Sequence, residues 1–290
     1  MRAFCPGHIT GLFSIEDSSP MMEKKGSVGM GFCIEMGATA EITVSRGTGI
    51  KIIINNEESE ADVTRRAIEV MVPELDRAVE VRIEHEVPTG QGFGMSAAGT
   101  FATCLALAVK LGIPDPKHAA LRATHISEVE HRTGLGDAVA QSIGGFVHRI
   151  EPGIPPHGEF ERLNFRAEDV VLCVLGKPIK TSMVLSNGEQ RQRIRESGHA
   201  CLRDCETGLD LASFTSASWV FARDAGLATD RIREAVGAMN GAGQGSMVML
   251  GNAVFGFGDS HVLAEVLEPF GQVFVTKICQ HGAVIVEDFD

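Results

Sequence analysis

The segment Pro88-Thr89-Gly90-Gln91-Gly92-Phe93-Gly94-Met95-Ser96-Ala97-Ala98 constrains this chain more than any other. It follows a stretch in which Val79, Val81, Ile83, His85 and Val87 alternate with Glu80, Arg82, Glu84 and Glu86, the pattern of a half-buried strand. It leads into small and apolar residues, 96–111, closed by Gly112 and Pro114, which predict a helix. Glycines at alternate positions permit positive φ and let the backbone approach a ligand without a Cβ in the way. Placed between a strand and a helix N-terminus, such a loop turns successive N–H groups into one concavity, to which the helix adds partial positive charge. A phosphate is the expected guest. Ser96 either caps the helix or offers its hydroxyl to phosphate or a metal ion. A plain glycine-rich turn with a serine cap is the alternative that this segment alone leaves open.

The loop is neither of two common nucleotide motifs. A Walker A loop ends in Gly-Lys-Ser/Thr, and no lysine lies between Lys51 and Lys110. A dinucleotide fingerprint needs its third glycine one residue later than Gly94. The formal net charge of −12 sharpens the requirement. With no general positive field, backbone N–H groups and a divalent cation must neutralise a polyphosphate. The same charge disfavours nucleic acid as a partner.

A length of 290 residues favours two packed domains. Apolar stretches are too short to cross a membrane, and the first residues lack the apolar core of a secretory signal. Seven cysteines without a C-x-x-C pair read as buried free thiols in a reducing compartment, so a cytoplasmic protein is expected. Residues 37–44 and 50–55 flank Gly47-Thr48-Gly49 and predict a hairpin. Helices are predicted over 61–71, 116–132 and from Asp137 to 143, with Gly144-Gly145 breaking the last and a strand over 146–150. Beyond a Pro/Gly-rich loop at 152–158, strands are expected at 170–175, 245–250, 253–257, 272–278 and 283–286. Helices fill much of 187–239 and a further one lies near 261–267. This is an α+β pattern in both halves, divided into residues 1–165 and 166–290.

Residues 88–98 resemble the second motif of the GHMP kinases, usually Gly-Leu-Gly-Ser-Ser-Ala, with Phe93 and Met95 departing from it. Cys5-Pro6-Gly7-His8-Ile9-Thr10-Gly11 is similar to the family's N-terminal motif, and Gly241-Ala242-Gly243-Gln244-Gly245 to its third, in the same order. The resemblance implies an N-terminal domain like ribosomal protein S5 domain 2 and a ferredoxin-like C-terminal domain. It implies ATP bound by Pro88, Gly90, Gly92, Gly94, Ser96 and Ala97, with Gly243 and Gly245 closing over it. Ser96 and Glu130 would hold Mg²⁺. Glu128 also lies on that helix, and positions two apart point about 200° apart, so only one of the two faces the site. Asp137, before Gly144-Gly145, is the candidate general base, the alternative being a helix cap.

Several stretches, including Gly26-Ser27-Val28-Gly29-Met30-Gly31 and Ser246-Met247-Val248-Met249-Leu250-Gly251-Asn252, resemble the archaeal pantoate kinases within that superfamily. The implied acceptor is (R)-pantoate, with a carboxylate, two hydroxyls and a gem-dimethyl carbon. His8, Thr10, Ser27, Arg149 and Thr181 are the candidate acceptor contacts, and His8 is also a catalytic candidate. Other alcohols of the superfamily (mevalonate, homoserine, shikimate) and a non-catalytic ATP-binding regulator are the alternatives. A homodimer is implied by the family.

Overall fold

A computed structural model describes residues 1–179, 186–205 and 209–286. Thr181 therefore lies outside the described residues. Two sheets organise the chain. The first is eight-stranded, in the order β12-β1-β2-β5-β3-β4, with β6 also pairing β2 and β7 pairing β6. Its strands are β1 (Arg2–Glu16), β2 (Gly26–Arg46), β3 (Gly49–Ile54), β4 (Glu57–Glu58), β5 (Arg77–His85), β6 (Phe146–Glu151), β7 (Glu159–Leu163) and β12 (Val284–Val286). The second is antiparallel, β11-β8-β10-β9, from β8 (Asp169–Val174), β9 (Gly243–Val248), β10 (Ala253–Gly258) and β11 (Gln272–Lys277).

The alternation read at 79–87 holds: Val79, Val81 and Ile83 of β5 are buried while Arg82 and Glu84 are exposed. The predicted hairpin does not form. β3 pairs in parallel with β5, and β5 pairs antiparallel with β2, so β5 lies between the two segments. The reason is the crossover through α1 (Asp62–Met71), which returns the chain beside β3 in the same direction. Gly47 and Gly49, both at positive φ, carry the chain over the end of β5 instead of folding β3 back on β2.

On one face of the first sheet lie α2 (Met95–Leu111) and α3 (Pro116–His131), followed by α4 (Asp137–Ile143). α2 is apolar all round and buried from Ala97 to Ala108, as a central helix must be. α5 (Gly188–Asp204) packs on β1 and on α6 (Leu211–Asp224), which touches both β1 and β9 and so lies between the sheets, while α7 (Asp230–Ala238) and α8 (Ser260–Leu267) complete the second unit. Phe214 of α6 joins the two halves: its ring meets Phe32, Phe146 and Phe255, centroids 4.6 to 6.2 Å apart. Gly11 of β1 lies directly under that ring, and a Cβ there would overlap it. The last glycine of the N-terminal motif thus serves packing between the halves. All seven cysteines are buried and unpaired. No helix among the described residues is long and apolar enough to cross a membrane.

Candidate active site

Gly90, Gly92 and Gly94 adopt φ values of 72°, 80° and 65°, so the loop uses all three in the conformation that favours glycine. Gly94 is the N-cap of α2, and the first intrahelical bond runs from the Ala98 N–H to the Gly94 carbonyl (2.9 Å). The N–H groups of residues 95, 96 and 97 are left without intrahelical acceptors, the arrangement that receives anions. Ser96 is therefore not the cap. It is the second residue of the helix, exposed and on the cavity wall, with its hydroxyl beside the Glu128 carboxyl.

The loop forms one wall of a cavity of about 360 Å³, a size typical of small-molecule sites. Thr10 and Phe13 of β1, Ser27 of β2, Glu128 of α3 and residues 133–137 form the wall opposite. Pro178, Ile179, Met249 and Leu250 close it from the second unit. Among the described wall residues only Glu128 and Asp137 are acidic or basic, and both are carboxyls.

Asp137 is the first residue of α4 and does not cap it; the N-cap is Gly136. Its Oδ1 lies 2.6 Å from His8 Nδ1. His8 is fully buried, its Nε2 has no partner, and burial holds its pKa below the ordinary value despite the attraction of Asp137. A neutral ring with the proton on Nδ1 donates to the carboxylate and turns an unprotonated Nε2 to the core. The register shifts in β1 fall after Pro6 and after Thr10, so His8 and Thr10, two residues apart in regular register, share one face of the strand. Thr10 lines the cavity, while His8 lies off its wall, against Asp137. The expectation that His8 contacts the acceptor is corrected: it buttresses a carboxylate.

The metal expectation at Glu130 is corrected too. Glu130 points away from the cavity and pairs with Arg66 of α1, at 2.7 Å from Nε and 3.2 Å from a terminal nitrogen. Glu128 is the carboxylate that faces inward. It is 3% exposed, accepts from the Thr133 hydroxyl at 3.0 Å, and burial reinforced by Asp137 pushes its pKa up to about 8. Gly134 sits against both carboxylates; a Cβ there would collide with Glu128 and come 3.1 Å from Asp137 Oδ2.

Arg149 of β6 is buried, donates from Nε to the Ser27 carbonyl (3.3 Å), and keeps one terminal nitrogen unpartnered. Burial lowers its pKa to about 10, against the pull of Asp137. It lies directly behind Gly136, 2.5 Å from where a Cβ would stand. Thr10, Ser27 and Asp137 thus line the cavity, while Arg149 stands behind Gly136 and off the wall. Pro88 opens the loop without lining the cavity. Gly243 and Gly245 are not on its wall: they are β9 residues paired with Gly258 and Gly256, in the second sheet. The part of the second unit that closes over the loop is the β9–β10 turn, where the Met249 carbonyl lies 2.6 Å from a Cβ built on Gly92.

Thr133, Leu135, Pro178, Ile179, Met249 and Leu250 line the cavity without having been singled out as site residues in the sequence. They sit on loops, where no periodicity marks a face. The packing of α3 explains why Glu128 is the inward one. Thr124, one turn before it on α3, lies beside Cys104 of α2, and Ser96 lies about two turns before Cys104 on that helix. The Thr124–Glu128 row therefore faces α2, whereas Ser127 and Glu130 face α1.

The GHMP kinases N terminal domain matches residues 62–145. The pantoate kinase of Methanocaldococcus jannaschii is 31% identical over 280 residues, 95% of this chain and 99% of that one. The pantoate kinase of Methanospirillum hungatei is 32% identical over 99% of this chain and 96% of its own. Among solved structures, a phosphotransferase related to the CoA biosynthesis pathway superposes with a TM-score of 0.89 at 27% identity, over 100% of this chain and 99% of that one. A homoserine kinase from Cytophaga hutchinsonii shares the fold at a TM-score of 0.74 and 15% identity, over 99% and 97%. The chain belongs to the GHMP kinases, ATP-dependent phosphotransferases, in the family that includes these pantoate kinases.

Proposed function

We propose that this protein is a pantoate kinase, transferring the γ-phosphoryl group of ATP to the 4-hydroxyl of (R)-pantoate to give 4-phosphopantoate for coenzyme A biosynthesis. One observation carries the mechanism: a single cavity joins a glycine loop and helix N-terminus to a carboxylate braced by a buried histidine. Full-length similarity to pantoate kinases supplies the acceptor.

Phosphoryl transfer needs positioning, charge neutralisation and a group to accept the proton of the attacking hydroxyl. The free N–H groups at the start of α2 bind phosphate oxygens. Asp137 takes the 4-hydroxyl proton, held in orientation by His8. The Ser27 and Thr10 hydroxyls orient the carboxylate and 2-hydroxyl, and Arg149, behind Gly136, adds positive charge at that end. Phe13 and Leu135 offer apolar surface to the gem-dimethyl carbon.

The residues fit a divalent cation. Glu128 is a buried carboxylate in a wall that offers no cationic side chain among the described residues, and Ser96 adds a second hard oxygen. Both would hold Mg²⁺, which when bound supplies charge neutralisation for the phosphates. We place the protein in the cytoplasm, in keeping with its seven unpaired, buried thiols, and expect the family's homodimer, which sedimentation would show.

A coupled ADP-release assay with pantoate, mevalonate, homoserine and shikimate tests the acceptor. Turnover of pantoate above the others is expected. Turnover of mevalonate without pantoate would reject the assignment.

A further inference from the structure

Gln91 stands between two glycines of the phosphate loop, and its side chain turns away from the cavity into the seam between the two units. It is 2% exposed, and both ends of its amide are used. Nε2 donates to the Gly176 carbonyl at 2.8 Å, beyond the end of β8, and Oε1 accepts from the Asn252 N–H at 3.3 Å, in the β9–β10 turn. Those two segments are also tied to each other. The Leu175 N–H donates to the Asn252 carbonyl (2.9 Å) and Asn252 Nδ2 to the Lys177 carbonyl (3.3 Å). The Ile179 N–H returns to the Gly90 carbonyl at 3.0 Å.

The connection matters because of what each segment carries. Gly90 and Gly92 wall the cavity on the loop side, and Pro178, Ile179, Met249 and Leu250 wall it from the second unit. A loop with glycines at 90, 92 and 94 has little stiffness of its own. Phe93 and Gln91 supply its bulk, and Gln91 is the one whose polar atoms bridge to the second unit. Contact is close enough that a Cβ on Gly251 would overlap the Gln91 backbone.

We propose that Gln91 is a positioning residue that sets the affinity for ATP by fixing the gap between the phosphate loop and the wall contributed by the second unit. This rests on the reading of the cavity as the ATP site. The role requires a donor and an acceptor on one planar group. A methionine keeps the volume and loses both bonds. A glutamate keeps the acceptor, but when ionised it sets a negative charge against the Gly176 carbonyl; protonation restores a donor.

The test is steady-state kinetics on the intact enzyme with wild type, Gln91→Met, Gln91→Ala and Gln91→Glu. For Gln91→Met and Gln91→Ala, KM for ATP should rise about fivefold or more while KM for pantoate stays within about twofold. For Gln91→Glu, the ratio of its KM for ATP to that of wild type should narrow as the buffer is taken from about pH 8 to about pH 6. Unchanged KM for ATP in Gln91→Met overturns the proposal. So does an equal rise in both KM values, or a pH-independent ratio in Gln91→Glu. If wild type itself neither turns over nor binds ATP, the reading of the cavity fails, which is a separate result from any difference among the variants.

Discussion

His8 Nδ1 lies 2.6 Å from Asp137 Oδ1, across 129 residues of sequence, and is the direct partner of that carboxylate. Because burial keeps the imidazole neutral, the bond orients Asp137 without cancelling its charge. Asp137→Asn is expected to lower kcat by roughly 10²–10⁴-fold, the range for loss of a general base, with ATP still bound. His8→Gln should lower kcat by about tenfold and leave KM for ATP within about twofold, since the tie of His8 to the nucleotide loop, its N–H to the Phe93 carbonyl (3.0 Å), is backbone and survives the substitution. Steady-state kinetics with ATP binding measured by calorimetry separates the two effects.

Glu128 and Glu130 make a matched pair for mutation. Both are on α3, but only Glu128 faces the cavity. Glu128→Gln should reduce kcat by about 10²-fold or more through loss of an oxygen anion beside the phosphates. Glu130→Gln should keep activity within about twofold and cost at most about 1 kcal/mol in chemical denaturation, because its partnership with Arg66 is at the surface. Equal losses in the two variants would contradict the orientation of the helix.

Glu128 also carries a pH signature. Its pKa in the fold is raised to about 8 from an ordinary 4.5, so the folded state holds a proton that the unfolded state has released. The carboxyl therefore costs no stability below pH 4.5 and progressively more as pH rises toward about 8. In metal-free buffer, Glu128→Gln should match wild type in thermal stability near the acid end of that window and exceed it increasingly toward pH 8. A melting-temperature difference that stays flat with pH would argue against burial of this charge. The variant would then be inactive yet more stable, the signature of a residue kept for function.

Gly11 and Phe214 should couple in a double-mutant cycle. Gly11→Ala pushes a methyl into the ring of Phe214 and should destabilise by roughly 1–3 kcal/mol, as overpacking does. Combined with Phe214→Leu, which frees space, the total should fall below the sum of the single losses. Urea denaturation of the four proteins measures it; strict additivity would mean that the ring and the methyl do not meet.

The parts of this molecule legible in sequence are those with local causes. The alternation of β5, the all-apolar α2 with its Gly112 terminus, and the glycines at 90, 92 and 94 depend on neighbouring residues and chain geometry alone. What was misread depends on partners far away. The glycines at 47 and 49 look like a hairpin turn because nothing in residues 37–55 reveals that β5, more than twenty residues later, will lie between the two strands. The family resemblance points to Glu130, and spacing says only that one of Glu128 and Glu130 faces inward; the rotation of α3 is set by α1 and α2. Gly243 and Gly245 look like a ligand loop, yet they pair across β10, where a Cβ on Gly245 would collide with Met239.

The pairing of β12 with β1 sets Val286 beside Arg2 and Val284 beside Phe4. During translation β1 is made before β12, and its outer edge at Arg2–Phe4 stays unpaired until residues 284–286 have been made. Every other strand of the first sheet is made in that interval. For that interval β1 presents an open row of backbone hydrogen-bonding groups, the feature that recruits stray strands. A truncated product ending after the first 165 residues would keep that edge permanently exposed, so premature termination should yield aggregate rather than a partly active kinase.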